Sequence, residues 1–148
     1  MQPDEESLSP RELIYRAFLF RWIKNGWESR SSVCVSDYFH PECVVTGMAP
    51  VVLEGVDQVQ AAYQSLHARV EHCHAETSFM LIRDESFSLV MELQGVHRDT
   101  GKDVVIEVGV HGRLKDDLVF QCHNVVDYTS MYAKLGILDA TKLQDELG

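Results

Sequence analysis

The sequence predicts an α+β domain in which helices cover one face of a single antiparallel sheet. The first half of the chain has apolar residues at helical spacing, and the second half has four strand-like runs joined by short turns. Helices grouped on one face of an antiparallel sheet are typical of this fold class. We expect one strongly curved, cone-shaped sheet packed on a long helix and on N-terminal helices.

The first half of the chain predicts two N-terminal helices and one long helix. Ser9 and Pro10 mark a helix start, because serine caps free backbone N–H groups and proline suits the first helical position. The second helix should end before Pro41. The expected elements are helices over 9–26 and 29–39, a strand over 43–47, an extended link over 50–55 and a long helix over 56–70.

The second half predicts a four-stranded meander and a short last helix. The turns "RDES", "RDTGKD" and "KDD" are too short for crossovers, so neighbouring strands should be antiparallel. Asp127 precedes the last helix and can cap its free N–H groups, and Gly136 ends it. The expected elements are strands over 72–82, 87–97, 103–114 and 118–126 and a helix over 128–135.

Length and composition describe a single acidic domain. The chain has 148 residues, and its net charge of -10 disfavours nucleic acid and anionic membrane surfaces as partners. No apolar run approaches the roughly 20 residues that span a bilayer. The acidic start resembles no signal peptide, and the four cysteines form no CxxC pair. We expect a disordered tail over 1–8, one domain over 9–148, free thiols and a cytoplasmic location.

Three segments carry a resemblance to a known family. They are "DYFHPECVVTG" (37–47), "LEGVDQVQAAYQSL" (53–66) and "KDDLVFQCHNVVDYTSMYAKLG" (115–136). Together with the order of elements, they resemble the SnoaL-like branch of the nuclear-transport-factor-2-like, or cystatin-like, superfamily. The resemblance implies a conical pocket between sheet and helices, and usually a homodimer through the convex faces of the sheets. The superfamily includes isomerases, dehydratases, cyclases, epoxide hydrolases and binding modules, so the site must decide the function.

Strand alternation sorts the residues of the meander into two faces. The inner face is apolar and includes one lone amide, Asn124, which must bond to the protein or to a ligand. A bulge would exchange the two faces. The expected inner residues are Leu89, Met91, Leu93, Gly95, His97, Val104, Ile106, Val108, Val110, Leu118, Phe120, Cys122, Asn124 and Val126. The expected outer residues are Glu92, Gln94, Glu107, His111, Gln121, His123 and Asp127.

Three histidines are the candidate catalytic groups. Pairing across the turn at 84–85 places His72 opposite His97 and His74 opposite Gly95, so three imidazoles would meet on the inner face. Scytalone dehydratase uses a pair of strand histidines as acid and base, and His72 and His97 resemble that pair. A histidine that titrates near neutral pH suits both proton transfers. A metal ion held by "HCH" and His97 is the alternative, although the family is mostly metal-free, and we expect none.

Other family machinery does not match this sequence. The helix-1 segment "FLFRWIKNGW" has no carboxylate, whereas scytalone dehydratase has a tyrosine and an aspartate there. Met91, Leu93 and Asn124 stand where limonene epoxide hydrolase needs an arginine and two aspartates. Steroid isomerase needs a carboxylate base and an acid or phenol deep in the pocket, and both cannot be placed together here. The aspartate partner that a cyclase histidine needs is not evident on the inner face either. Glycine-rich phosphate loops are absent from the sequence, so we expect no nucleotide cofactor.

The sequence therefore predicts a cofactor-free SnoaL-like enzyme with histidine acid/base chemistry. Its substrate would be a small apolar carbonyl compound, polyketide- or steroid-like, and its reaction a dehydration, isomerisation or cyclisation. The alternative is a dimeric, non-catalytic binding module of the same fold. The predicted substrate-binding residues are Asn124, Met91, Leu93, Val108, Phe120, Cys122, Trp22 and Tyr38.

Overall fold

The computed structural model describes residues 7–28, 34–128 and 140–147, which form three helices and six strands. The helices are α1 (Pro10–Glu28), α2 (Val56–Arg69) and α3 (Ala140–Leu147). The strands are β1 (Phe39–Thr46), β2 (Leu53–Glu54), β3 (Val70–Arg83), β4 (Ser86–His97), β5 (Asp103–Lys115) and β6 (Leu118–Val126). The predicted fold class is confirmed: helices accompany one curved, unclosed sheet.

The strands form one sheet in the order β2-β1-β6-β5-β4-β3. All neighbours are antiparallel except β1 and β6, which run parallel. Helix α1 contributes Leu19 and Ile23 to the core, and α2 contributes Val59. These side chains are almost fully buried together with the inner residues of β4 and β5, such as Leu89 and Val110. Helices α1 and α2 therefore cover the concave face of the sheet.

Helix α1 begins where the sequence predicts. The Ser9 hydroxyl accepts a hydrogen bond from the Glu12 N–H at 3.1 Å, and the Glu12 carboxylate accepts one from the Ser9 N–H at 2.9 Å. This reciprocal pair is a capping box. Because both end groups are satisfied at once, the helix start is well defined, and the helix continues two residues past the predicted end at Gly26.

The prediction that the second helix includes residues 34–39 is wrong. Only one 3-10 turn forms there, over Val35–Asp37, and Phe39 already opens β1. Phe39 is 2% exposed and pairs with Val119 of β6, so burial in the sheet overrides local helical preference. Residues 1–6 of the predicted tail over 1–8, the segment 29–33 and the predicted last helix beyond Tyr128 lie outside the described residues. Helix α3 was not predicted.

Two bulges in β3 shift its pairing with β4. Near the turn, Arg83 pairs with Ser86, as the sequence predicts. The register then shifts once between Thr77 and Phe79 and again between Glu71 and His74. Each bulge adds one unpaired residue to β3 and turns the following side chains to the opposite face. A residue in the second bulge, His72, adopts a left-handed φ of 54°.

The hairpin between β4 and β5 is shifted by two residues from the prediction. Val104 pairs with Gly95, whereas the sequence analysis placed it opposite His97. An even shift keeps every side chain on its face, because strand alternation has a period of two. The apolar inner residues of both strands are therefore buried, and the outer residues Glu92, Gln94 and Glu107 are exposed, as predicted.

A third bulge lies in β6 at Phe120. Leu114 pairs with Val119, but Arg113 pairs with Gln121, so Phe120 has no partner on β5. Val119 consequently faces the core, and the prediction that Leu118 and Phe120 face inward is wrong. Beyond the bulge the alternation agrees with the prediction. Cys122, Asn124 and Val126 lie inward, and Gln121 and His123 lie outward.

Candidate functional site: an apolar cavity with three polar groups

A cavity of about 240 Å³, including its opening to solvent, lies between the concave sheet face and helices α1 and α2. Four predicted site residues line it: Trp22, Met91, Cys122 and Asn124. The sequence analysis did not assign six further lining residues to the site: Trp27, Phe39, Val45, Met48, Tyr63 and Val110. Most of this wall is apolar, so its few polar atoms decide what the cavity can recognise.

Asn124 offers a hydrogen-bond acceptor in the cavity wall. Its Nδ2 donates to the Thr46 carbonyl at 3.0 Å, and a longer contact of 3.6 Å reaches Cys122 Sγ. A backbone carbonyl can only accept, so this bond fixes which end of the amide is nitrogen. Among the described residues nothing donates to Asn124 Oδ1. This oxygen is therefore available to a hydroxyl or N–H group of a ligand.

Tyr63 offers a hydrogen-bond donor to the cavity. Its hydroxyl oxygen accepts from Trp22 Nε1 at 3.2 Å, and within the described part of the chain its proton has no acceptor. The side chain is 3% exposed. Burial, with a smaller contribution from nearby Cys122, raises the pKa of Tyr63 well above its usual value of 10. The phenol stays neutral at physiological pH and can donate to a ligand oxygen.

Trp27 supplies a second unpaired donor. It is 9% exposed, and its buried Nε1 has no hydrogen-bond partner among the described residues. Its ring lies 5.5 Å from that of Tyr63, measured between centroids. A buried N–H without a partner costs about 1–3 kcal/mol, so a ligand oxygen that accepts from it would recover this free energy.

The ionisable groups of the cavity wall are held neutral. Burial raises the pKa of the Cys122 thiol to about 12, a neighbouring thiol, Cys43, adds to the rise, and the Asn124 amide opposes it. Of the described residues, no histidine, aspartate or glutamate lines the cavity. The wall can therefore donate and accept hydrogen bonds but holds no group that exchanges protons near neutral pH.

A second cavity, of about 290 Å³ including its opening, adjoins the first at Trp27. Leu93, a predicted substrate-binding residue, lines this cavity instead of the first. Cys73 and His74 contribute its titratable groups, and burial raises the pKa of the Cys73 thiol. The indole of Trp27 thus stands between two compartments on the same concave face.

The three candidate histidines do not meet, so that prediction is wrong. His72 stands in the second β3 bulge with a side chain 60% exposed. His74 pairs with Gln94 of the outer face, and its Nδ1 lies 2.8 Å from the Glu28 carboxylate. His97 pairs with Val70, and its buried Nδ1 has no partner among the described residues. The two β3 bulges shift the register by two residues in total, so Val70, and not His72, is opposite His97.

Three other predicted substrate-binding residues lie away from both cavities. Val108 is 3% exposed and packs in the core. The Phe120 ring packs against the His40 ring at 5.3 Å, outside the cavity, because of its bulge. The Tyr38 hydroxyl accepts from Asn25 Nδ2 at 2.7 Å at an exposed position. Their predicted roles at the site are not supported by these positions.

Tyr63 is a cavity-lining residue with a polar atom that the sequence analysis missed. It falls on the apolar face of α2, where it was counted only as part of the helical period. The signal that identified Asn124, one polar atom on an otherwise apolar face, applies equally to Tyr63.

The alternative assignment of the strand faces, in which a bulge exchanges all inner and outer residues, is excluded. His111 and His123 would then face the cavity, but both are exposed.

The described residues also bear on membrane helices and on metal ions. No helix in the described ranges is long and apolar enough to cross a membrane. The same residues contain no group of three or more histidine, cysteine, aspartate or glutamate side chains arranged to hold a metal ion. The homodimer through the convex sheet face and the capping role of Asp127 stay predictions.

Solved structures share this fold at low sequence identity. A candidate SnoaL-like polyketide cyclase from a Jannaschia species matches with a TM-score of 0.79 and 14% identity, over 90% of this chain and 99% of its own. A candidate polyketide cyclase from Bacillus cereus has a TM-score of 0.76 and 16% identity, over 91% and 89% of the two chains.

A third structure, an LEH-like epoxide hydrolase from M. tuberculosis, has a TM-score of 0.70 and 10% identity, over 85% of this chain and 92% of its own. No family model matches the sequence, and no curated protein matches it either. The chain thus has the SnoaL-like, nuclear-transport-factor-2-like fold that the sequence resemblance implied.

Proposed function

We propose that this protein is a small-molecule enzyme of the SnoaL-like type that binds an apolar carbonyl compound in the first cavity. The observation that carries the proposal is the pair of unpaired donors, the Tyr63 hydroxyl and Trp27 Nε1, in an otherwise apolar wall. A ligand oxygen would accept from one of these donors while the carbon skeleton of the ligand is buried against the apolar wall. The fold relatives described as cyclases and an epoxide hydrolase support this kind of function.

The chemistry would be polarisation of the carbonyl group. During enolisation the α-proton would pass to a solvent water at the opening of the cavity, because no described lining residue accepts it near neutral pH. Preorganised donors would stabilise the negative charge that develops on the carbonyl oxygen. A neutral phenol suits this role, because its raised pKa lets it donate a hydrogen bond while it keeps its proton. Asn124 Oδ1 would accept from a hydroxyl elsewhere on the same substrate and fix its orientation. In this proposal His72, His74 and His97 take no part in catalysis.

The size of the cavity favours a small ligand. The water-accessible space inside this cavity is only about 10 Å³, room for about one water molecule, so even a compact ligand would have to displace side chains of the wall. A longer substrate would have to displace the Trp27 indole and extend into the second cavity. The proposed reaction is therefore an isomerisation, dehydration or cyclisation of a compact carbonyl compound.

Intrinsic fluorescence provides a direct binding test. The chain has two tryptophans, Trp22 and Trp27, and both line the cavity. We expect 2-cyclohexenone to change the emission at lower concentration than cyclohexene, which lacks the oxygen atom. Tyr63→Phe should weaken cyclohexenone binding by about 10-fold, the effect of one well-placed hydrogen bond. Tyr15→Phe is the matched control, since its hydroxyl bonds to Asp117 and Arg11 away from the cavity.

Equal responses to the ketone and the hydrocarbon would contradict the proposed oxygen recognition. So would a Tyr63→Phe variant that is folded and binds cyclohexenone as well as the wild-type protein does. Far-UV circular dichroism of both tyrosine variants establishes that any loss of binding is not a loss of fold.

The binding-module alternative is favoured by one observation, the lack of a histidine, aspartate or glutamate among the described cavity-lining residues. Exchange of the α-protons of cyclohexanone in D2O, followed by NMR, separates the two functions. An enzyme should accelerate the exchange, and Tyr63→Phe should reduce its maximum rate more than its ketone affinity. A module that binds the ketone without accelerating exchange would support the alternative.

A further inference from the structure

Two histidines stand side by side on the convex face of the sheet. His111 on β5 and His123 on β6 are direct cross-strand partners, and both side chains are exposed. Directly opposed residues on antiparallel strands have Cβ atoms about 4.5–5.5 Å apart. The two imidazoles are therefore neighbours, on the face opposite to the cavity.

A hydroxyl group holds each ring at its Nδ1 atom. Ser88 Oγ on β4 lies 2.8 Å from His111 Nδ1, and Thr46 Oγ1 on β1 lies 2.6 Å from His123 Nδ1. Ser88 and Thr46 are also the direct cross-strand partners of these two histidines. The row Ser88, His111, His123 and Thr46 thus crosses four adjacent strands, with the hydroxyls at its outer ends.

This arrangement leaves both Nε2 atoms free of the hydroxyl partners. Each Nδ1 is held by a residue of β4 or β1, and His111 Nε2 lies over Gly109 of its own strand. Within the described part of the chain neither Nε2 atom has a hydrogen-bond partner. Gly109 keeps the adjacent surface open, since a Cβ atom there would lie 3.4 Å from His111 Nε2.

We propose that His111 and His123 together bind one first-row transition-metal ion, such as Zn²⁺ or Ni²⁺, through their Nε2 atoms. Imidazole nitrogen suits these ions, and a metal-binding histidine normally donates its other ring N–H to an oxygen. Ser88 and Thr46 supply those oxygens. Water completes the coordination, because no third histidine, cysteine or carboxylate is arranged as a ligand in the described ranges.

Charged groups near the histidine pair have opposite effects on the binding of a cation. The net charge of -10 attracts cations to the protein as a whole. Arg113, two residues along β5 on the same face, repels a bound cation, and Glu107, four residues away in the other direction, attracts it. The bound ion would link β5 to β6 without touching the cavity, so this site is independent of the proposed enzyme function.

Calorimetric titration with NiCl₂ near neutral pH tests the site. The protein should carry no polyhistidine tag and should contain Cys34→Ser, because the exposed Cys34 thiol is a competing ligand. We expect one ion per chain. His111→Ala and His123→Ala should each weaken binding by about 10-fold or more, and the double variant should lose little more, since either change removes the chelate.

Two controls separate chelation from general surface binding. His72→Ala removes an exposed histidine that is not part of the pair and should leave the affinity unchanged. Thr46→Val and Ser88→Ala leave both ligands but remove the oxygens that orient them, so each should weaken binding by about 10-fold. Ni²⁺ should also raise the Tm of the wild-type protein and not that of the double variant.

Three results would overturn the proposal. One is equal Ni²⁺ affinity in the wild-type protein and the double histidine variant. That result would mean that Ni²⁺ binds to the surface in general and not to this histidine pair. Another is a loss of affinity in His72→Ala as large as in His111→Ala. The third is a stoichiometry of one ion per two chains in calorimetry and sedimentation, which would place the ion between copies of the chain.

Discussion

Replacement of Gly47 by alanine tests the contact that places Asn124 in the cavity wall. Gly47 follows β1 with a φ of 80°, and a Cβ atom there would lie 1.8 Å from the Asn124 carbonyl oxygen. Gly101 is the matched control, because it has a similar φ of 68° but nothing lies within 4 Å of its Cβ position. The difference between the two alanine variants isolates the contact with Asn124 from the backbone strain.

The expected magnitude follows from these two contributions. A left-handed backbone costs an alanine about 1–2 kcal/mol, and the smaller entropy of the unfolded chain returns about 0.4–1 kcal/mol. Gly101→Ala should therefore lower the free energy of unfolding by about 1 kcal/mol. Gly47→Ala must in addition move the β6 backbone at Asn124 and break the bond from Asn124 Nδ2 to Thr46, so it should cost at least about 1 kcal/mol more.

Urea denaturation followed by circular dichroism measures both losses, and an unchanged m value shows that the same surface unfolds in each variant. Gly47→Ala should also change the tryptophan emission of the folded protein, because Asn124 and both tryptophans line one cavity. Equal losses of stability in the two variants, or a larger loss in Gly101→Ala, would refute the close approach of Gly47 to Asn124.

Three further predictions concern the Cys122 thiol and His97. Because burial raises its pKa to about 12, the Cys122 thiol should react with iodoacetamide at mildly alkaline pH far more slowly than the exposed Cys34 thiol. Mass spectrometry measures the two alkylation rates. Equal rates would contradict the burial of Cys122. Because the folded-state pKa is raised above the usual value of 9, Cys122 stabilises the fold fully below about pH 9, and this contribution should disappear as the pH rises toward about 12. Cys122→Ala should therefore make the loss of stability over that pH range smaller. His97→Ala should leave the fluorescence response to cyclohexenone unchanged, because His97 does not line the cavity; an abolished response would restore the histidine to the site.

The lone polar atoms of the apolar faces proved to be the most informative sequence feature. Asn124 was identified because an amide cannot be buried without partners, and the structure places it in the cavity wall. Tyr63 and Trp27 carry the same signal, but aromatic rings fill cores so often that their polar atoms did not stand out. Only the positions of neighbouring side chains show that the Tyr63 proton and Trp27 Nε1 lack partners among the described residues.

The sequence by itself determined the fold class, the order of the main elements and most of the two faces of β4 and β5. Helical and strand periodicities are local properties of the sequence. The sequence analysis placed His97 opposite Val104, where the structure has Gly95, but an error of two residues leaves every side chain on its predicted face. Only the tertiary structure decided which residues meet across strands. Bulges at Phe120 and in β3 change the pairing between neighbouring strands, and each one turns the following side chains to the other face. For that physical reason His72 is not opposite His97, whereas His111 and His123 are direct cross-strand partners.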